Sequence, residues 1–320
     1  MTTNFGLDCL QRFALHGIAT PQGRVAYRQA GAAAKPTHVL LHGIGSSSAN
    51  WIAQLEAAPI HPACSLLAWD APGYGNSDSL PMLAPSAADY GRHLWAWLDA
   101  VLAAQGTAAS PVTLVGHSLG CLMVASAALQ QPQRVQRLIL LSPAQGYARA
   151  QAAERDKKLQ DRLDILARLG PAGMAQARGA AMLSGSAHAD QVAFVQQAMA
   201  QINPAGYAQA ARMLAQGDLL SDLSLLESRH VTGQPARPVL VASGSADTIT
   251  PPAGCQQVAA HINARYISLG PVGHACAIEA ADAVTRLIGL AAPAATSFVP
   301  AATSSLPAAP SAIPVAKAAP

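Results

Sequence analysis

The strongest constraint on the fold is a serine between two glycines, where a strand-like segment meets a helix-like one. The pentapeptide GHSLG, residues 116–120, follows the apolar run PVTLV and leads into LGCLMVASAALQQP. Glycine has no Cβ, so the chain can turn sharply here and bring the two segments close together. The pattern G-x-S-x-G between a strand and a helix is typical of a reactive serine in a strained turn. Ser118 is therefore a candidate nucleophile, whereas the motif without this context would indicate only a turn of small residues.

The segments around Ser118 predict an α/β fold. Short apolar runs closed by turn residues are typical of buried strands, and they occur as RVAYRQAG, THVLL, SLLAWD, VTLV and RLILLS. Helix-like segments lie between them. One of these, SAADYGRHLWAWLDAVLAAQG, begins at a capping box of Ser86 and Asp89 and ends at Gly106. Strand signals return in RPVLVASGS and RYISLGPVG. This alternation predicts a doubly wound, mostly parallel sheet.

Residues 143–234 interrupt the alternation with helix-like segments divided by glycine and proline. We interpret residues 143–234 as a helical lid inserted into a core of residues 1–142 and 235–290. Residues 291–320 are rich in alanine, proline and serine and lack an amphipathic period. They can bury too little surface to offset the entropy of ordering, so we predict a disordered tail there.

The composition favours a compact globule with a small-molecule partner. The 320 residues are 51% hydrophobic and carry a formal net charge of +3 without a run of lysine or arginine. This argues against nucleic acid or an anionic membrane as the main partner. No signal peptide or membrane-spanning stretch is visible. The five cysteines are scattered and lack zinc-ligand spacing, which is typical of reduced thiols. We predict a cytoplasmic protein without a metal.

A serine hydroxyl needs a base to remove its proton and a third group to orient that base. His274, in GPVGHACAIEA, follows the last strand signal, and Asp247, in VASGSADTITPP, follows the one before it. Catalytic loops gather at the carboxyl ends of parallel strands, so both residues are expected at one sheet edge with Ser118. Each alone has a structural explanation, as a turn-capping carboxylate or a packed imidazole. The order Ser118, Asp247, His274 favours a catalytic triad.

Two backbone amides are predicted to bind the negative oxygen that develops on the substrate. The first is the amide of Leu119, which follows the candidate nucleophile. The second belongs to the loop LHGIGSSSANW, where glycines let the backbone turn its amides inward. We assign this second donor to Ile44, with Gly45 as the alternative.

A nucleotide-binding interpretation is weaker. HGIGSSS, with Asp70 after the next strand, imitates a dinucleotide-binding fingerprint, but Ser48 replaces the third glycine. That interpretation also leaves the G-x-S-x-G motif without a role. Asp70 is interpreted instead as a carboxylate that accepts local N–H bonds in its turn.

Three other polar residues have structural interpretations. His117 precedes the candidate nucleophile and is interpreted as scaffolding that projects away from the site. Arg178 and Arg212, in the predicted lid, could meet a substrate carboxylate. We favour solvated charge for both, because surface arginines are far more common than ligand-binding ones.

These motifs resemble those of lid-bearing bacterial α/β-hydrolases, which include enol-lactone hydrolases, carboxylesterases and ring-fission-product hydrolases. LHGIGSSSANW, AWDAPGYGNSD, VGHSLG, GSADTITPP and GPVGHA occur in the family's order across residues 25–290. The resemblance implies an α/β-hydrolase fold with Ser118 as nucleophile, His274 as base and Asp247 as its partner. Ala275 follows the histidine where carbon–carbon bond hydrolases of the family commonly have tryptophan, which disfavours that subclass.

Residues and resemblance together predict a cofactor-independent serine hydrolase. The expected substrate is a carboxylic ester or lactone of a small, largely apolar molecule, cleaved through an acyl-enzyme intermediate. One alternative is a hydrolase that cleaves a carbon–carbon bond in an aromatic ring-fission dienoate. Another is a catalytically idle α/β-hydrolase that serves as a binding or scaffold protein. The sequence assigns no substrate-binding residue and no oligomeric state.

Overall fold

A computed structural model describes residues 8–228 and 238–290. Eight strands form one sheet in the order β1-β2-β4-β3-β5-β6-β7-β8. β2 pairs antiparallel with β1 and with β4, and all other neighbours are parallel. The strands are β1 (Leu15–Thr20), β2 (Gly23–Gly31), β3 (His38–Leu41), β4 (Ser65–Trp69), β5 (Val112–His117), β6 (Val135–Leu141), β7 (Val239–Ser243) and β8 (Arg265–Ser268). The predicted doubly wound, mostly parallel sheet is confirmed. β1 was not predicted, because its side chains are only half buried at the sheet edge and show no continuous apolar run.

Helices cover both faces of this sheet. They are α1 (Asp8–Gln11), α2 (Ile52–Ala57), α3 (Ala87–Ala104), α4 (Gly120–Gln130), α5 (Ala152–Arg178), α6 (Ala189–Ala200), α7 (Pro204–Gln216), α8 (Leu219–Ser228), α9 (Pro252–His261), α10 (Cys276–Glu279) and α11 (Ala281–Leu287). The predicted capping box of Ser86 and Asp89 is confirmed at the start of α3. Gly106, with φ of 61°, follows the end of that helix.

The strands alternate between two apolar clusters. Val39 and Leu41 belong to the cluster that includes α3, α4 and α9, while Leu40 belongs to the one that includes α2, α10 and α11. Since successive side chains of a strand point to opposite faces, both faces of β3 are buried. This explains why the central strands consist of continuous apolar runs. The sheet is therefore held rigidly, and its strand ends are fixed positions for functional groups.

Helices α5–α8 lie in sequence between β6 and β7, and we call residues 152–228 the helical segment. Its division by glycine and proline is confirmed at Gly170, whose φ of 63° and ψ of 177° break α5 just before Pro171. α8 was not predicted as a separate helix. The predicted inserted region ends at residue 234, so its last residues lie outside the described residues, and the predicted tail of residues 291–320 lies wholly outside them. Every helix in the described part is too short or too polar to cross a membrane.

Candidate active site

Ser118 lies in a strained turn between β5 and α4. Its φ is 53°, a left-handed conformation that residues with a side chain rarely adopt. The turn is held by backbone hydrogen bonds, because the Ser118 N–H donates to the Leu141 carbonyl at 2.9 Å. The Ser118 carbonyl accepts from the N–H groups of Cys121 at 3.0 Å and Ala144 at 3.2 Å. The backbone on both sides thus fixes the serine at the end of β5.

The flanking glycines are required by close backbone contacts. A Cβ at Gly116 would lie 2.6 Å from the Gly120 carbonyl oxygen, and one at Gly120 would lie 2.4 Å from the Leu41 carbonyl oxygen. Neither contact can be relieved by a side-chain rotation, because both partners are backbone atoms. The G-x-S-x-G pattern therefore reflects the close packing of β5, α4 and β3.

Asp247 and His274 form a buried hydrogen-bonded pair. Asp247 Oδ2 lies 2.9 Å from His274 Nδ1, and the two side chains are almost fully inaccessible to solvent. Asp247 Oδ1 accepts from the N–H groups of Ile249 and Thr250, each at 2.9 Å. Burial opposes ionisation of Asp247, but bonds from His274, Thr250 and Ser142 outweigh it and lower its pKa to about 2. The carboxylate is therefore ionised at neutral pH and orients the imidazole.

His117 contacts His274, so the expectation that it projects away from the site was wrong, whereas its contacts fit the scaffolding role. Its Nε2 lies 2.8 Å from the His274 carbonyl oxygen, and the two ring centroids are 4.9 Å apart. Burial and the neighbouring His274 lower the pKa of His117 to about 3, so its ring is neutral. Only a protonated Nε2 can donate to a carbonyl, which settles the tautomer. His117 thus anchors the backbone of the loop that carries His274.

Two further polar residues of the site were missed. Thr250 Oγ1 lies 2.9 Å from Asp247 Oδ2, 3.1 Å from the Ser142 carbonyl oxygen and 3.2 Å from His274 Nδ1. Ser142, at the end of β6, is fully buried and adopts a φ of 46°. The sequence offered one signal for Thr250, a threonine three residues after Asp247, which is the spacing of a side-chain turn.

The loop after β3 is held by long-range contacts. Asp70 Oδ1 accepts from the Ser48 N–H at 2.8 Å. The prediction that Asp70 accepts a local N–H bond in its own turn was therefore wrong for this bond. His42 donates from Nδ1 to the Gly43 carbonyl at 2.8 Å, and its Nε2 accepts from the Ala71 N–H at 3.0 Å. Burial lowers the pKa of His42, consistent with this neutral tautomer. The end of β4 thereby positions residues 43–48.

Both predicted oxyanion donors face the same cavity as Ser118. Leu119 and Ile44, and also Gly45, line it. Within the described residues, the amides of Leu119 and Ile44 donate no hydrogen bond to another protein group. Leu119 also precedes α4, whose N-terminal end favours negative charge. The two amides are thus available to a ligand.

The cavity has a volume of about 360 Å³, within the range usual for small-molecule sites. Ser118 and His274 both line it, whereas Asp247 lies behind His274. Among the described residues, the Ser118 hydroxyl makes no hydrogen bond. Such contacts commonly tighten only when substrate is bound. The structure thus places Ser118 and His274 at one cavity, with Asp247 bonded to His274 outside the cavity lining.

The comparisons with known proteins agree with this architecture. A family model described as the alpha/beta hydrolase fold matches residues 36–281. A curated relative from Acinetobacter baylyi, (E)-2-((N-methylformamido)methylene)succinate hydrolase, is 30% identical over 191 residues. That match covers 57% of this chain and 64% of the relative, so the chain spans less than two thirds of the relative's length.

Solved structures show the same fold at lower identity. An esterase from Thermogutta terrifontis, with malate bound, aligns with a TM-score of 0.71 at 21% identity, covering 86% of this chain and 96% of that one. The enol-lactonase from Burkholderia xenovorans LB400 aligns with a TM-score of 0.70 at 21% identity, covering 85% and 98%. Because the family model matches well over half of the sequence, this chain belongs to the α/β-hydrolase fold family.

Proposed function

We propose that the protein is a serine hydrolase that cleaves a carboxylic ester or lactone through an acyl-enzyme intermediate. The observation that carries the proposal is the strained Ser118 at one cavity wall beside the hydrogen-bonded pair of His274 and Asp247. A nucleophile, a base and an orienting carboxylate are the groups that acyl transfer by serine requires. The hydrolase relatives from several organisms support the same reaction class.

The geometry suggests a role for each group. His274 Nδ1 donates to Asp247, which leaves Nε2 to accept the Ser118 proton as Oγ attacks the substrate carbonyl. The amides of Leu119 and Ile44 stabilise the resulting oxyanion, and His274 then protonates the leaving group. A water molecule then attacks the acyl-enzyme, with His274 taking its proton. The acid leaves as His274 returns the proton to Ser118 Oγ. Asp247 remains ionised throughout, because its pKa is about 2, and it stabilises the imidazolium.

We further propose that residues 143–234 act as a lid on a core of residues 1–142 and 235–290. Residues of the helical segment, including Met174, Met199 and Tyr207, line the same cavity as Ser118 and His274. A lid of this kind excludes bulk water and shapes specificity. The enzyme is proposed to work in the cytoplasm on a small substrate, without a cofactor.

A fluorophosphonate probe tests the nucleophile. Wild-type protein should be labelled on one serine, Ser118→Ala should abolish labelling, and Ser245→Ala, an exposed serine at the same sheet edge, should leave it intact. Hydrolysis of p-nitrophenyl esters should fall by a factor of roughly 10⁴ or more in Ser118→Ala. Absence of both labelling and turnover in wild type would instead favour a scaffold protein, and turnover of a ring-fission dienoate alone would favour carbon–carbon cleavage.

A further inference from the structure

The wall of the cavity formed by α5 is strongly cationic. Three basic side chains of this helix line the cavity that holds Ser118: Lys158, Arg162 and Arg178. Among the described residues that line it, none is an aspartate or glutamate. A cavity with several positive side chains and no negative one attracts anions, since low-dielectric walls strengthen the field. Lys158 and Arg162 are four residues apart on α5, whereas Arg178 lies beyond the break at Gly170, so only the folded chain brings Arg178 to the same cavity.

Arg162 carries the argument furthest. Its Nη2 lies 3.2 Å from the Tyr147 hydroxyl, and Tyr207 also hydrogen-bonds the guanidinium. Both partners are phenol hydroxyl groups and neither is a carboxylate. Within residues 8–228 and 238–290, Arg162 makes no ion pair with a carboxylate. A half-buried guanidinium without a counter-charge is costly, so a ligand carboxylate would complete this site.

The other cations differ in how far the protein neutralises them. Lys158 pairs with Glu154 at 2.7 Å and lies 4.7 Å from the Tyr147 ring centroid. Arg178 is half buried and, like Arg162, has no carboxylate partner in the described part of the chain. Elsewhere on the segment, Lys157 pairs with Asp161 at the surface. Within the described residues, the two arginines thus stand out as cavity-lining charges without a carboxylate partner.

Arg178 lines the cavity, so the interpretation of this residue as a solvated charge is revised. Arg212 is absent from the cavity lining among the described residues. We infer that the substrate carries a carboxylate, held by Arg162 and Arg178, on the same molecule as the ester or lactone carbonyl that reaches Ser118. This inference rests on the proposed function. Met174 and Leu214, on the same side of the cavity, would contact an apolar body. The predicted substrate is therefore apolar along its length but anionic at one end.

A matched pair of substrates tests the charge. p-Nitrophenyl hydrogen adipate and p-nitrophenyl hexanoate differ only in a terminal carboxylate replacing a methyl group. Wild-type kcat/KM should be roughly 10- to 100-fold higher for the adipate, the effect of one charge-assisted hydrogen-bonded pair. Raising the salt concentration should reduce this preference, because salt screens the attraction.

Variants then assign the preference to named residues. Arg162→Gln and Arg178→Gln should each lower the adipate-to-hexanoate ratio at least fivefold, and Arg162→Lys should retain part of it. Arg168→Gln, an exposed arginine on the same helix that is absent from the cavity lining, should leave the ratio unchanged. Thermal melting establishes that each variant is folded. Because the ratio compares two substrates on one protein, a globally unfolded fraction of the molecules cannot change it.

The outcomes separate this inference from the proposed function. If wild type hydrolyses hexanoate as well as or better than adipate, or if neither glutamine variant changes the ratio, the carboxylate site is wrong while the hydrolase stands. If a fluorophosphonate does not label Ser118 and neither ester is cleaved, the proposed hydrolase is wrong. Calorimetric binding of p-nitrophenyl hydrogen adipate to Ser118→Ala protein would then still test the anion site. Absence of binding would overturn the inferred carboxylate site.

Discussion

The two walls of the cavity are built in different ways. The sheet wall holds Ser118 on the turn after the buried strand β5 and His274 on the loop after the edge strand β8, and both residues are at most 5% exposed. The helical wall presents Arg162 and Arg178, long side chains that are half buried and held by few contacts. Rigid backbone suits groups that must meet within hydrogen-bonding distance. Flexible side chains suit substrate recognition, because their positions can adjust to the bound molecule.

Hydrogen bonds nevertheless tie the two walls together at the His274 loop. The Ala275 N–H donates to the Met182 carbonyl at 2.7 Å. Glu279 Oε2 accepts from the N–H of Gly273 at 2.8 Å and from the N–H of Ser184 at 2.9 Å. The neighbours of the candidate base are therefore bound to the helical segment. A displacement of that segment would be transmitted to the loop that carries His274.

The largest effect is expected on the sheet wall. Asp247→Asn removes the negative charge and favours the wrong imidazole tautomer, so kcat should fall by a factor of roughly 10³ to 10⁴, as in other serine hydrolases. Asp156→Asn, an exposed carboxylate on α5, should leave kcat unchanged. Steady-state kinetics on p-nitrophenyl hexanoate measures both. A loss below tenfold for Asp247→Asn would show that this carboxylate does not orient the base.

A smaller effect is expected where the helical segment meets the core. A Cβ at Gly206 on α7 would lie 1.9 Å from the Gly73 carbonyl oxygen, so Gly206→Ala forces the two backbones apart. We expect a loss of about 1 to 3 kcal/mol in unfolding free energy, the usual cost of overpacking. The adipate-to-hexanoate ratio should fall, while fluorophosphonate labelling of Ser118 should persist.

Gly185→Ala is the matched control for this substitution, because a Cβ there meets nothing within 4 Å. Denaturant unfolding and the two ester assays should give wild-type values for it. If Gly206→Ala slowed labelling of Ser118 as strongly as it changed the ratio, the two walls would act as one unit and the contrast between them would fail.

At neutral pH the smallest effect is expected at His93, whose contribution to stability changes only as the pH falls. His93, on α3, is 2% exposed, and burial lowers its pKa from 6.5 to about 4. The unfolded chain therefore binds this proton from pH 6.5 downwards, whereas the folded protein does not until about pH 4. Stability present above pH 6.5 should be lost as pH falls, by up to about 3 kcal/mol at pH 4. His93→Leu should remove this part of the slope in denaturant titrations, and an unchanged slope would contradict the assignment.

Local patterns predicted the central fold well because its strands are buried on both faces. THVLL, VTLV and RLILLS were recognisable as strands because they are short, mostly apolar runs bounded by turn residues. β1 escaped prediction because a half-buried edge strand shows no such pattern. α8 was not predicted, although Gly217 separates it from α7 in the sequence. Whether an edge strand or an inserted helix forms depends more on packing against neighbouring elements than on the residue pattern of the segment itself.

The sequence by itself determined the sheet, the turn at Ser118 and the order of Ser118, Asp247 and His274, because each follows a strong strand signal and steric rules act over short distances. Only the tertiary structure decided that Thr250 and His117 support His274, and that Arg162 and Arg178 face the cavity without a carboxylate partner in the described residues. These contacts join segments far apart in the chain. Their free energy depends on burial and distance, which no local pattern encodes.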